Sequence, residues 1–208
     1  MPGLQREAIA VYLGLQLFER AVAAEVAVDT RRRRRVGQIG GVRIDGAKLV
    51  LQLANVNELC SDVVELLTEQ AKGKQVALEL EPDEALGEVE IDESALRRCL
   101  MNLVGNAVDA CEPEVGLVTL KTVAKGEDRF VISIRDNGCG IEPARLEKIF
   151  DPFYSTKGGK GTGLGLAVTK KIVEEHSGVL HVASKPGEGT EFILELPVKE
   201  PEAESAET

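Results

Sequence analysis

Residues 129 to 140 read Arg-Phe-Val-Ile-Ser-Ile-Arg-Asp-Asn-Gly-Cys-Gly. The alternating, β-branched run predicts a strand from Arg129 to Arg135. Directly after it, the Asp136 carboxylate can accept from an amino group, and Gly138 and Gly140 let backbone come close to a ligand. An ordinary Asx turn with glycines would look the same, so the surroundings decide. Upstream, Leu117 to Val123 completes a hairpin around Lys125 and Gly126, and downstream Val179 to Ser184 and Thr190 to Leu196 make another through Pro186, Gly187 and Gly189. Gln75 to Leu80 alternates as a further strand, with Val76, Leu78 and Leu80 on one face. Helices intervene. Asn55, with Glu58 three residues on, makes a capping-box-like start for a helix carrying Leu59, Val63 and Leu66 and ending at Gly73. Asp92 opens a second helix that runs to Cys111 and stops before Pro113. A short helix follows Pro143, and another ends near Gly178. The expected fold is α+β: a two-layer α/β sandwich of a mostly antiparallel mixed sheet with helices on one face.

In front of this unit, residues 1 to 52 read as a helical segment, with Ile9, Leu13, Leu17, Ala21, Ala24 and Val28 at helical spacing. The run Arg31 to Arg35 and the glycines at 37, 40, 41 and 46 weaken that pattern, since each glycine inside a helix costs about 1 kcal/mol relative to alanine. The arginines read either as a solvated helix face or as a docking patch for an acidic partner. The domain proper spans 53 to 197. The remainder, 198 to 208, is an acidic tail with almost no apolar residues and is expected to be disordered. A formal net charge of -10 argues against a nucleic-acid partner, whose binding rests on Lys and Arg displacing counterions. Ala8 to Phe18 is too short to span a bilayer, which takes about 20 residues, and no signal-peptide charges precede it, so the chain reads as cytoplasmic with no membrane span. The four cysteines, Cys60, Cys99, Cys111 and Cys139, form no Cys-x-x-Cys pair and read as reduced, mostly buried thiols.

Three further strings carry chemistry. On the helix from Asp92, Leu96, Leu100, Leu103 and Ala107 form the apolar stripe, whereas Asn102, Asn106 and Asp109 occupy another side. Asparagine is an indifferent helix former, and its neutral carbonyl can ligate a Mg²⁺ that also holds phosphates. Phe150-Asp151-Pro152-Phe153-Tyr154-Ser155-Thr156-Lys157 places aromatic anchors ahead of one cation. Gly161-Thr162-Gly163-Leu164-Gly165 opens a helix whose free N–H groups suit a phosphate. No parallel strand leads into that loop, which separates it from a dinucleotide-binding fingerprint.

In order and spacing these four boxes resemble the ATP-binding catalytic domain of sensor histidine kinases, related to the gyrase, Hsp90 and MutL ATPases, from about Asn57 to Leu196. The resemblance implies a Bergerat-type fold and ATP and Mg²⁺ as cofactors. It implies Asn106 as the magnesium ligand with Asn102 beside it, and Asp136 as the acceptor of the adenine amino group. Gly138 and Gly140 would line the base pocket, and Thr190 would stand behind the adenine. Phe150 to Lys157 would belong to a mobile lid, with Lys157 as the catalytic cation on the terminal phosphates. Gly161, Thr162, Gly163, Leu164 and Gly165 would wrap the phosphates.

The chain departs from the family pattern in three places. Asn102 stands where hydrolytic relatives carry a glutamate base, so rapid hydrolysis is not the expected job. Asp109 stands where many histidine kinases have a basic residue. Residues 1 to 52, in the place of the dimerisation hairpin, contain no histidine, and this segment resembles a degenerate or truncated hairpin. The chain's two histidines are His176, at a family position where a helix ends, and His181 in the next strand; each is expected to have a structural or surface role and not to accept phosphate. Three readings follow: a histidine-kinase module that phosphorylates a histidine supplied by another chain, a pseudokinase signalling through ATP binding, and a serine or threonine kinase of the anti-sigma-factor type. The first implies a histidine-bearing phosphoacceptor domain, a response regulator and a homodimer through the N-terminal helices.

Overall fold

The computed structural model describes residues 49–155 and 162–198. The first 48 residues and the acidic tail from Lys199, including the expected N-terminal helix and Arg31 to Arg35, lie outside the described residues, as do Lys157 and Gly161. Seven strands and four helices follow in the order β1 (Gln52–Asn55), α1 (Val56–Gly73), β2 (Val76–Glu81), β3 (Glu88–Ile91), α2 (Glu93–Ala110), β4 (Gly116–Lys125), β5 (Arg129–Asp136), α3 (Pro143–Leu146), α4 (Gly165–Glu175), β6 (Val179–Lys185) and β7 (Gly189–Pro197). Five strands form one sheet in the order β2-β4-β5-β7-β6. Only β2 and β4 pair in parallel, so the sheet is mixed and mostly antiparallel.

Alternation along the central strands decides what faces the helices. On β5, Phe130, Ile132 and Ile134 are fully buried, opposite Leu196, Leu194 and Phe192 of β7. Asp136 is the next position of that inward series, so the apolar row ends on a carboxylate. α1 begins as its cap requires: the Asn55 side-chain oxygen accepts from the amides of Asn57 (3.0 Å) and Glu58 (3.3 Å), while the Glu58 carboxylate accepts from the Asn55 side-chain amide (3.2 Å). The stripe of α1 differs from the expected one. Leu66 is 61% exposed and Leu67 is 5% exposed, because Leu59, Val63, Leu67 and Ala71 keep a spacing of four and carry the buried face past Leu66. The short antiparallel ribbon of β1 and β3 was not expected either; at four residues each, its strands give little periodicity to read.

Asp92 ties the start of α2 to its neighbours. One carboxylate oxygen accepts from the Ala95 amide at 2.9 Å and the other from Val50 at 3.0 Å. Burial works against its charge, yet these backbone bonds hold the carboxyl below its usual pKa. A depressed carboxylate stabilises the fold above the unfolded-state pKa, and this contribution is lost as pH falls through the native value. Asp92→Ala is therefore expected to cost about 1 kcal/mol at neutral pH and less in acid. Urea unfolding midpoints of parent and variant at both pH values check this.

Candidate nucleotide site

A cavity of about 710 Å³ opens between α2, the end of β5, α3 and the start of α4, a size that suits a small-molecule ligand. Asn102, Asn106 and Asp109 line it from α2; Asp136, Gly140 and Ile141 from the end of β5 and beyond; Thr162, Gly163 and Gly165 from the approach to α4; and Thr190 and Phe192 from β7. Strings far apart in the sequence thus meet around one space.

Asp136 sits at the inner end. It is 4% exposed, and its carboxylate accepts from the Gly138 amide at 2.9 Å. Desolvation raises its pKa above the usual carboxylate value, against backbone hydrogen bonds from Gly138 and Thr190 that lower it. A buried acceptor with unspent lone pairs facing a cavity favours a ligand that brings an N–H donor. Thr190 pairs in register with Asp136 and is 6% exposed; its hydroxyl lies 2.9 Å from that of Ser184, which also donates to or accepts from its neighbours at Gly189 and Ile141.

The glycines serve close approach. A Cβ on Gly138 would come within 2.4 Å of the Ala110 carbonyl oxygen, so this glycine packs the loop onto the end of α2. Gly140 has φ +66, and a Cβ there would meet the Lys185 carbonyl at 2.1 Å; both the left-handed backbone and the space demand glycine. Gly163 has φ +65 and accepts from the Phe153 amide at 2.9 Å. Gly165 lets α4 approach α2 so closely that a Cβ would lie 2.1 Å from the Asn102 side-chain oxygen.

Asn102 is also a tie between helices: its side-chain nitrogen donates to the Thr169 hydroxyl at 3.1 Å. Leu164 caps α4 without a side-chain hydrogen bond, and the amides at a helix N-terminus suit an anion. Asp109 forms an ion pair with Lys74 at the end of α1, which puts a cation beside the position where the sequence has none. Phe150 is buried, with the Lys170 ammonium 5.9 Å from its ring centroid, whereas Phe153 is 61% exposed. Sequence reading did not single out the apolar wall of Ile141, Ile149, Leu166 and Phe192, nor Arg145 and Glu142 at the rim. Aliphatic residues in a core and in a pocket wall give the same pattern.

Both histidines are placed away from a transfer role. His176 is 5% exposed, accepts from the Asp92 amide at 3.0 Å through Nε2 and lies 2.8 Å from the Ile172 carbonyl through Nδ1. Donating at Nδ1 while accepting at Nε2 fixes a neutral tautomer and occupies both nitrogens. His181 lies on β6 between Leu180 and Val182, which are buried toward the helices, so it belongs to the opposite face of the sheet from the cavity.

Residues 91–200 match the family described as histidine kinase-, DNA gyrase B- and HSP90-like ATPase. The chain belongs to this family. Within it, the chain is similar to histidine kinases. It is 38% identical over 152 residues to the sensor histidine kinase ZraS of Salmonella typhi, covering 73% of this chain and 32% of ZraS. The catalytic domain of histidine kinase ThkA superimposes with TM-score 0.65 at 31% identity, covering 72% of this chain and 96% of that one. Full-length ShkA, in complex with AMPPNP, gives TM-score 0.67 at 32% identity over 74% of this chain and 32% of ShkA. A second ThkA structure, in complex with the response regulator protein TrrA, gives 0.63 at 27% identity over 74% and 43% of the two chains. The matched region is therefore a histidine-kinase ATPase domain, and the chain spans about a third of the length of ZraS. No helix among the described residues is long and apolar enough to cross a membrane.

Proposed function

We propose that this chain is the catalytic module of a cytoplasmic two-component histidine kinase, which binds ATP with Mg²⁺ and transfers the γ-phosphate to a histidine supplied in trans. The observation that carries the nucleotide reading is Asp136, an inward-facing, desolvated carboxylate at the end of a core strand, held by the Gly138 amide and turned to the cavity. It would accept from the adenine amino group, with Thr190 behind the base and Gly138 and Gly140 shaping the loop around it. Thr162 to Gly165 would present backbone amides to the phosphates, and Gly161 and Lys157 would complete that wrapping, Lys157 on the terminal phosphate. The geometry suits transfer, which needs mainly positioning and charge neutralisation.

The donor set fits magnesium that arrives with the nucleotide. Among the described residues no three acidic, His or Cys side chains gather into a metal site. Asn106 lines the cavity with a neutral amide, and Mg²⁺ typically takes one or two protein oxygens beside phosphates and water. Bound there, it would neutralise charge on the phosphate chain. Residues 1 to 52 would be the degenerate or truncated dimerisation hairpin of a homodimer, and a response regulator would receive the phosphate. A pseudokinase is the second reading, favoured by one observation: neither histidine of the chain faces the cavity.

Calorimetry of ATP binding with and without magnesium tests the site. Asn106→Ala is expected to lose the magnesium enhancement of affinity while affinity in chelator changes little. Equal losses in both conditions would assign Asn106 to the fold instead of the metal.

A further inference from the structure

Two cysteines that have no role in the reading above lie near each other at the edge of the cavity. Cys139 is exposed and lines the cavity, and Cys111 is half-buried at the end of α2. The Cys139 amide donates to the Ala110 carbonyl at 3.1 Å, one residue before Cys111. Standard backbone dimensions then keep the two Cα atoms within about 7 Å of each other. Disulfides span Cα separations of about 4.4 to 6.8 Å. A second contact joins the same segments: the Cys111 sulfur lies 3.6 Å from the side-chain oxygen of Asn137, two residues before Cys139. No spacing in the sequence pairs them, and the expectation of mostly buried thiols holds for Cys60 and Cys99 but not for this pair.

We propose that Cys111 and Cys139 form a reversible dithiol–disulfide site at which a peroxide-class oxidant weakens nucleotide binding. The exposed Cys139 gives up its proton and its sulfur attacks a peroxide oxygen; the O–O bond breaks, giving a sulfenic acid at Cys139 and a hydroxide that takes up the released proton to become one water. The Cys111 thiolate then attacks the Cys139 sulfur, the S–O bond breaks, and the released hydroxide takes a proton to become the second water. Two thiols lose two electrons and two protons in all. Burial and the nearby Asp136 carboxylate push the Cys111 thiol up, so it keeps its proton until the Cys139 sulfur is presented to it, and it takes the resolving step. Burial pushes Cys60 and Cys99 to about 12, so both stay out of the exchange.

The link to the nucleotide rests on the reading of Asp136 above. The Gly138 amide holds the Asp136 carboxylate, and Gly138 is already packed against the Ala110 carbonyl. Drawing Cys139 onto Cys111 moves Gly138 across that contact and shifts the amide from the carboxylate.

The test oxidises the purified chain with hydrogen peroxide, maps non-reduced peptides by mass spectrometry, and measures ATP affinity before oxidation, after it, and after dithiothreitol. A bridged peptide joining Cys111 and Cys139 is expected, with ATP affinity reduced about tenfold or more and restored by the reductant. Cys111→Ser, whose side chain lies outside the cavity lining, is expected to yield no bridge and a smaller loss. Absence of the bridge, or a bridged chain of unchanged affinity, would overturn the proposal. A loss as large in Cys111→Ser would assign the effect to oxidation of Cys139 alone and overturn the pair. A reduced chain that never binds ATP would overturn the nucleotide reading, and this control with it, even where the bridge forms.

Discussion

Asp136→Ala is expected to weaken ATP binding about ten- to a hundredfold, because a hydrogen bond to a charged group contributes about 1.5 to 3 kcal/mol. The fold should survive: the site desolvates the charge, so removing it relieves a cost as well as a bond. Calorimetry on folded parent and variant decides it, and an unchanged dissociation constant would remove Asp136 from the adenine site. The same residue predicts a pH dependence. Its native pKa lies above the usual carboxylate value, so the acceptor becomes protonated, and ATP affinity declines, at higher pH than an ordinary aspartate would dictate. For folding the sign is opposite. A carboxyl with a raised native pKa binds its proton more readily folded than unfolded, so for this group acidification through that window favours the native state. Loss of ATP affinity on acidification without unfolding is the expected pattern, and Asp136→Asn should remove the part of the pH dependence that this carboxyl carries.

The layers of the fold were legible because the local signals agreed with one another. Phe130, Ile132 and Ile134 alternate, Asp92 caps, and glycines mark the turns, and these are the elements found. What the sequence could not show was contact between distant segments. Lys74 reaches Asp109, Asn102 binds Thr169, and Cys139 bonds beside Cys111; in each, the partners come from different elements and no spacing announces them. The β1–β3 ribbon escaped notice for another reason. Its strands take their order from pairing and from the Glu90 amide donating to the Val198 carbonyl at 3.0 Å, more than from their own composition. At the site, Asn106, Asp136 and Thr190 were found as residue types in order, but only the register of Asp136 with Thr190 explains why a threonine should stand there.

The chain is expected to bind ATP yet carry no phosphate label when incubated alone with γ-labelled ATP and magnesium. His176 has both ring nitrogens engaged, by the Asp92 amide and the Ile172 carbonyl, and His181 is on the other face of the sheet from the cavity. Residues 1 to 52 hold no histidine, so nothing on the chain supplies an oriented imidazole to the γ-phosphate. Adding a histidine-bearing hairpin from a related kinase should restore labelling, because transfer asks of the module mainly that it hold the nucleotide and neutralise its charge while a nucleophile is brought in line. The label should then sit on the hairpin, be lost in acid and survive in base, the behaviour of a phosphoramidate and the reverse of a phosphoserine ester. Each alternative outcome points somewhere definite. Stable label on the chain alone would refute the expectation, and acid-resistant label would make the chain a serine or threonine kinase. No label in either mixture, with ATP binding intact, would favour the pseudokinase, in which nucleotide occupancy itself is the signal.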